Sequence, residues 1–428
     1  MNLEESKKAF IQMLKIPSVT GTEGEERACA FLENILKEYG VSSRRIARVP
    51  ERPNLLAGIR AEHPVKEPVI LISHIDVVDG DAGQWTHPVF GGEEENGRIW
   101  GRGTLDTKQL TMMELYSFLR LKERQKELNR DVWFLAAVDE EKGSSYGMEY
   151  VKSVCPEIFR HAVVINEGGG FPLHINGHDY MTLTVGEKSV CRVRVWADGT
   201  AGHASAPGDD QAIQKLAAGL QRVFAAEREL TCGSRQIWAA MRAITGSEEW
   251  DNPVALDIFH YAGYNSIAMR NYRIGRRSNI IPEKAETILE FKLLPGAVPS
   301  DVAEFLDRQF RGLSLSYKIE DFENGFEAEL EDSFVKKMIK DLSEICEKHG
   351  FAGQVLPMLA LGRTDGRFFG SDGSRVFGCS PLLAGDSFDV VLPKVHGNNE
   401  SILEESYFFG CRVISDILQK HCLGSTDE

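Results

Sequence analysis

Residues 69–76 read Val69-Ile70-Leu71-Ile72-Ser73-His74-Ile75-Asp76. Four consecutive aliphatic residues without alternation read as a strand buried on both faces. The run passes into His74 and Asp76, which lie two apart and point the same way in extended backbone. In open α/β sheets, ligands gather at the carboxyl ends of strands. Taken alone, the His-x-Asp pair reads as a polar loop.

The pattern recurs. Val132–Val138 is a second apolar run, and it ends in Asp139-Glu140-Glu141-Lys142-Gly143. Ala162–Ile165 is a third, ending in Asn166-Glu167-Gly168-Gly169-Gly170. Helical patterns lie between them, at Thr107–Arg124 and Ser144–Val154, and an earlier one follows a capping box of Thr22 with Glu25 and stops at Gly40. Strands alternating with helices predict an α/β fold, a mostly parallel sheet flanked by helices.

From Glu187 the character changes. Val190–Trp196 alternates apolar and polar, as a half-exposed strand does. A helix near Gln211–Glu227, a strand at Glu286–Leu294 and a helix at Ser300–Arg311 follow. Residues 187–326 are therefore expected to form an inserted α+β domain with one open sheet face. Residues 1–186 and 327–428 would be the two parts of the other domain. The 428 residues exceed one typical core, so two domains also accord with length.

The net charge of −15 argues against a nucleic-acid partner, because phosphate binding needs a basic patch. No apolar run reaches the ~20 residues a membrane helix needs. The first residues lack the apolar core of a signal peptide. The eight cysteines are scattered without a CxxC pair, so free thiols and a cytoplasmic location are expected.

Two further segments carry chemistry. In Trp100-Gly101-Arg102-Gly103-Thr104-Leu105-Asp106-Thr107-Lys108, Asp106 falls at a helix start, where it either caps the helix or bridges two metals. Three acids directly after a buried strand, at 139–141, are unfavourable without a cation. One of those glutamates could ligate while its neighbour acts as general base; spacing does not say which. Near the end stands Val395-His396-Gly397-Asn398-Asn399-Glu400. No HExxH occurs, which excludes a mono-zinc protease of that type.

On Ser73–Val78, Trp100–Lys108, Asp139–Gly143 and His396–Glu400, the chain resembles the aminoacylase, carboxypeptidase S and succinyl-diaminopimelate desuccinylase family of di-zinc metallohydrolases, metallopeptidase family twenty. The resemblance runs through essentially the whole chain in the same order. It implies that His74, Asp106, Glu141, Glu167 and His396 hold two zinc ions, with cobalt or manganese as substitutes, and that Asp106 bridges them. It implies that Asp76 orients His74 and that Glu140 is the base for a water attacking an amide carbonyl. It makes residues 187–326 a lid and dimerisation domain, whose His203, in Gly202-His203-Ala204-Ser205, stabilises the oxyanion, often from the partner subunit of a homodimer. Asn279 and Thr364 match substrate-contacting positions. Lys292 stands where many members carry an arginine, so a substrate carboxylate would meet a point charge rather than a fork.

The activity implied is hydrolysis of an amide bond in small peptides, of exopeptidase, carboxypeptidase or dipeptidase type. N-acyl amino acid deacylation and ureido-compound hydrolysis use the same motifs. A non-catalytic binding protein on this fold would show eroded ligands, whereas every expected ligand type is present.

Overall fold

The computed structural model describes residues 1–274, 279–370 and 373–424. The chain divides into two compact units. The first comprises Met1–Val185, Met241–Leu256 and Ala328 onward; the second comprises Gly186–Ala240 and Asp257–Glu327. Met241–Leu256 thus groups with the first unit. Asn176 N donates to Asp251 Oδ1 at 2.7 Å and Asn252 Nδ2 to the His174 carbonyl at 3.1 Å within it.

The first unit is built on a mixed sheet. Its centre is four parallel strands in the order Val132–Ala137, Val69–His74, Val163–Asn166, Arg375–Gly378. Pro53–Ile59 and Ser43–Ala47 extend one edge antiparallel. All six residues of Val69–His74 are buried. Each of Ile70, Leu71 and Ile72 contributes ~1.5–3 kcal/mol by leaving water. The absence of alternation has this cause: helices cover both faces. The helix Lys108–Lys122 is buried nearly all round, the polar Lys108, Gln109, Thr111, Glu114 and Ser117 included, because the strand Val69–His74 and the helices Leu3–Leu14 and Glu404–Cys422 pack around it.

The helix Gly24–Glu38 stops as its sequence requires: Gly40 adopts φ 68° and its N–H reaches the Lys37 carbonyl. The expected capping box at its start is absent. Thr22 Oγ1 donates to the Val19 carbonyl and accepts from Gly24 N, while Glu25 turns inward to accept from Arg52. An ion pair with a guanidinium outcompetes one backbone bond.

The second unit carries a four-stranded antiparallel sheet in the order Ser266–Arg273, Lys284–Leu293, Ser189–Asp198, Ser316–Glu323. Cys191, Val193, Val195 and Ala197 face the helices Ala212–Ala225 and Pro299–Phe310 with Leu289 and Phe291. On the other face Arg192 meets Glu290 and Asp321 at 3.1 and 2.7 Å, and Arg194 meets Glu320 at 2.6 Å. The period-two pattern therefore separates an apolar core face from a face laced with ion pairs. Among the described residues no helix is long and apolar enough to cross a membrane.

Candidate functional site

Three of the four central strands deliver an imidazole or a carboxylate at their carboxyl ends. His74 closes Val69–His74; Glu140 and Glu141 follow Val132–Ala137; Glu167 follows Val163–Asn166. The glycines after Glu167 have a steric reason. A Cβ on Gly378 would stand 2.2 Å from the Glu167 carbonyl, and one on Gly169 would stand 2.5 Å from the Gly378 carbonyl. Only bare backbones allow the Glu167 loop to lie against the neighbouring strand.

Asp106 does not cap the helix that follows it; Thr107 is the N-cap and makes no side-chain cap bond. The Asp106 carboxylate instead joins two clusters. Its Oδ1 lies 3.0 Å from His74 Nε2, which is also 3.6 Å from Glu167 Oε2. Its Oδ2 lies 3.1 Å from His396 Nε2, which is 3.0 Å from Glu141 Oε2. The structure thus brings together His74, Asp106 and Glu167 as one group, and Asp106, Glu141 and His396 as another, with ligand atoms in each within 4.8 Å.

The electrostatics of this cluster are those of a cation site. Burial pushes Glu140 and Glu167 upward from the ordinary carboxyl range, and Glu167 adds to the effect on Glu140. Asp106 is held below its usual value despite burial, because His396 and His74 both pair with it. Burial acts downward on His74, yet Glu167, Asp106 and Asp76 hold it well above an ordinary imidazole. Hydrogen bonds to Asp106 and Glu141 push His396 up to about 10. Without a metal ion, the two imidazoles are therefore the cations that balance the acids. Glu141 Oε1 is buried and has no hydrogen-bond partner. An orphaned carboxylate oxygen, two imidazoles and three carboxylates fit Zn²⁺ or a similar borderline cation.

Residues 70–420 match the pattern that defines Peptidase family M20/M25/M40. The chain belongs to this family. It is a metallohydrolase enzyme of peptidase or aminoacylase type. It is 27% identical over 421 residues to aminoacylase-1 of Dictyostelium discoideum, covering 96% of this chain and 95% of that one. It is 23% identical over 457 residues to human N-fatty-acyl-amino acid synthase/hydrolase PM20D1, covering 96% and 87%. Its fold is similar to that of an M20 family metallo-carboxypeptidase, Sso-CP2 of Sulfolobus solfataricus, with TM-score 0.72, 20% identity and coverage of 98% and 99%.

His74 Nδ1 lies 2.9 Å from the backbone carbonyl of Asp76, with the Asp76 carboxylate at 3.6 Å. That carboxylate accepts from Thr20 Oγ1 at 2.8 Å and Glu140 N at 3.2 Å, so it also fixes the loop that carries the acids. Thr364 is buried, and its Oγ1 accepts from Asn166 Nδ2 at 2.6 Å. In the second unit, exposed His203 lies on the short strand Gly202–His203, which pairs with Ile280–Ile281, and its Nδ1 is 2.7 Å from Ser205 Oγ. Ala204 N donates to the Asn279 carbonyl at 3.1 Å, so His203 and Asn279 are neighbours. Lys292 lies in the sheet, opposite Val190 and 3.5 Å from Glu290 Oε1.

A cavity of about 230 Å³ opens on the cluster, and Asp106, Glu140, Glu141, Glu167 and His396 line it. One wall is apolar, made by Phe171, Leu361, Phe388, Val391, Leu392 and Val395. Among the described lining residues Arg363 is the only one with a permanent positive charge.

Sequence reasoning missed four contributors. Arg363 is one. Arg367 lies 4.0 Å from Glu140 Oε1, and Asp365 accepts from Ser144 Oγ. The signal was the run Arg363-Thr364-Asp365-Gly366-Arg367, dense in charge after a buried strand. The fourth is Glu400, fully buried, which accepts from Arg102 Nη1 at 2.7 Å, Leu105 N at 2.6 Å and Gly103 N at 3.1 Å. It pins the loop that presents Asp106.

Proposed function

We propose that this chain hydrolyses the amide bond of a small peptide or acylated amino acid at a centre of two zinc ions, with Co²⁺ or Mn²⁺ able to replace them. The observation that carries this reading is that Asp106 offers one oxygen to each of two ligand groups. His74 and Glu167 would complete one ion's ligands, Glu141 and His396 the other's. Bound there, two cations polarise a carbonyl and make a water acidic enough to attack it. Glu140, in the cavity but in neither group, takes the proton of the attacking water and gives it to the leaving amine nitrogen. Its raised pKa suits a group that must hold that proton between the two steps. His203 donates to the developing oxyanion, supplied by a second copy of the chain through the lid and dimerisation domain, 187–326. Asn279, Lys292 and Thr364 contact the substrate.

The apolar wall favours an apolar group beside the scissile amide, and the acyl-amino acid hydrolases among the relatives support an N-acyl amino acid as the second reading. All eight cysteines are free, which suits a reducing compartment such as the cytoplasm.

One experiment tests the reading. Zinc-loaded protein is assayed on dipeptides, N-acetyl and longer N-acyl amino acids and N-carbamoyl amino acids, beside Glu140→Gln and a mixture of Glu140→Gln with His203→Ala. Wild type should cleave apolar amide substrates, Glu140→Gln should keep its metals while losing at least ~100-fold in turnover, and the mixture should regain activity. No turnover by metal-loaded wild type on any substrate, or a fully active Glu140→Gln, overturns it; no recovery on mixing assigns His203 to its own chain.

A further inference from the structure

The first unit holds a second depression, of about 620 Å³, that shares no residue with the acidic cavity. Lys66, Arg130, Lys337, Arg375 and Lys420 line it, with Phe334 and a single carboxylate, Glu67. Five cations against one acid invert the balance of a chain whose net charge is −15. Three of the five are committed. Arg375 pairs with Glu67 and Asp332 at 3.0 and 3.3 Å; Lys337 pairs with Asp341 at 2.7 Å; Lys420 pairs with Asp341 and Glu344, both at 2.8 Å.

The other two are not. Arg130 is 3% exposed, and its Nε and Nη1 are buried with no hydrogen-bond partner. Its neighbour Asp131 turns away, to Arg60 and to the Ala61 N–H. Phe334 lies 5.9 Å from the guanidinium and gives it a π face but no acceptor. Burial pushes this guanidinium below its ordinary pKa. A guanidinium cannot shed its charge at neutral pH, so enclosing one without an acceptor is unfavourable unless an anion completes it. Lys66, at the exposed rim, has no ion-pair partner among the described residues.

We propose that this depression binds a phosphate-type dianion, carried by inorganic phosphate or by a phosphate ester, with Arg130 as the buried anchor and Lys66 as the rim contact. The planar fork of Arg130 matches two oxygens of one phosphate, and Lys66 adds a point charge. The volume leaves room for an organic group on the ester.

The test is equilibrium dialysis of radiolabelled inorganic phosphate against metal-loaded wild type, Arg130→Gln and Lys66→Gln. A metal centre can itself hold phosphate, so the readout is the difference in stoichiometry. Wild type should bind one phosphate per chain more than Arg130→Gln. Lys66→Gln, an exposed change that should leave folding and hydrolysis intact, should weaken that extra site by about tenfold. Adenosine 5′-monophosphate that displaces the extra phosphate at a tenfold lower concentration than unlabelled phosphate assigns the site to an ester; equal displacement assigns it to the free ion. The same stoichiometry and affinity in all three proteins overturns the proposal.

Discussion

Replacing Glu400 by Gln should both destabilise the chain and weaken its hold on metal, although Glu400 belongs to neither ligand group. Its Oε2 accepts from Arg102 Nη1 at 2.7 Å and its Oε1 accepts from Leu105 N at 2.6 Å, Gly103 N at 3.1 Å and Asp106 N at 3.3 Å. Glu400 is fully buried and Arg102 is 2% exposed, so neither can turn to water. Removing the carboxylate charge leaves a buried guanidinium uncompensated, a loss of ~3–5 kcal/mol. The amide NH₂ of Gln must also face a donor, so at least one N–H of the loop is orphaned, about 1–3 kcal/mol more. These terms overlap, and a net loss of about 4 kcal/mol is expected. The loop 101–107 then holds Asp106 less firmly, and metal affinity should fall ~10–100-fold, as when a partner behind a metal ligand is lost. Urea unfolding of metal-free protein followed by circular dichroism gives the first quantity; competition with a chelating dye gives the second. Adding Arg102→Met removes the orphaned charge and should restore part of the stability. A Glu400→Gln protein within about 1 kcal/mol of wild type, with unchanged metal affinity, would refute this reasoning.

Two other outcomes follow from the site. Arg363→Ala should raise KM about tenfold or more for substrates with a free carboxylate, with little change for the corresponding amides, because Arg363 is the permanent cation of the cavity; equal effects on both would remove Arg363 from recognition. Metal binding should release protons at pH 7, since His396 is pushed up to about 10 without metal and must be neutral to ligate. The sign is fixed: a pKa raised on folding stabilises below the unfolded value near 6.5. Metal-free protein should therefore lose stability as pH rises from about 6.5 to 10. Calorimetry in buffers of different ionisation enthalpy reads the release, and identical heats in all buffers would contradict it.

Much of this was legible in the residues, for reasons that can be named. Strands buried on both faces lack alternation, so Val69–Ile72, Val132–Val138 and Ala162–Ile165 announced a parallel core, and their polar ends announced its functional edge. Of the helices read in the sequence, the boundaries moved by only a residue or two where Gly40 and the glycines before Asp106 signal the backbone, but the helix read from Ser144 begins at Met148, and Leu3–Leu14, Ser333–Lys348 and Glu404–Cys422 are not read from it at all. What escaped depends on distance in three dimensions. Thr22 and Glu25 match a capping box locally, but Arg52 claims Glu25. Asp76 reads as the partner of His74, and its carboxylate lies 3.6 Å from Nδ1, but the nearer contact, the Asp76 carbonyl at 2.9 Å, has no mark in the sequence. Glu400 and Arg102 lie 298 residues apart, and nothing local marks them as one ion pair. Nothing in the sequence around Arg130 marks it as buried, and only the fold encloses it in the depression. The grouping of Met241–Leu256 with the first unit likewise rests on contacts that Asp251 and Asn252 make with residues near 175.

The most direct test is anomalous diffraction at the zinc edge from crystals of zinc-loaded protein. Two peaks per chain, one beside His74 and Glu167, the other beside Glu141 and His396, with Asp106 between them, are predicted. A single peak, or peaks away from Asp106, would contradict the account.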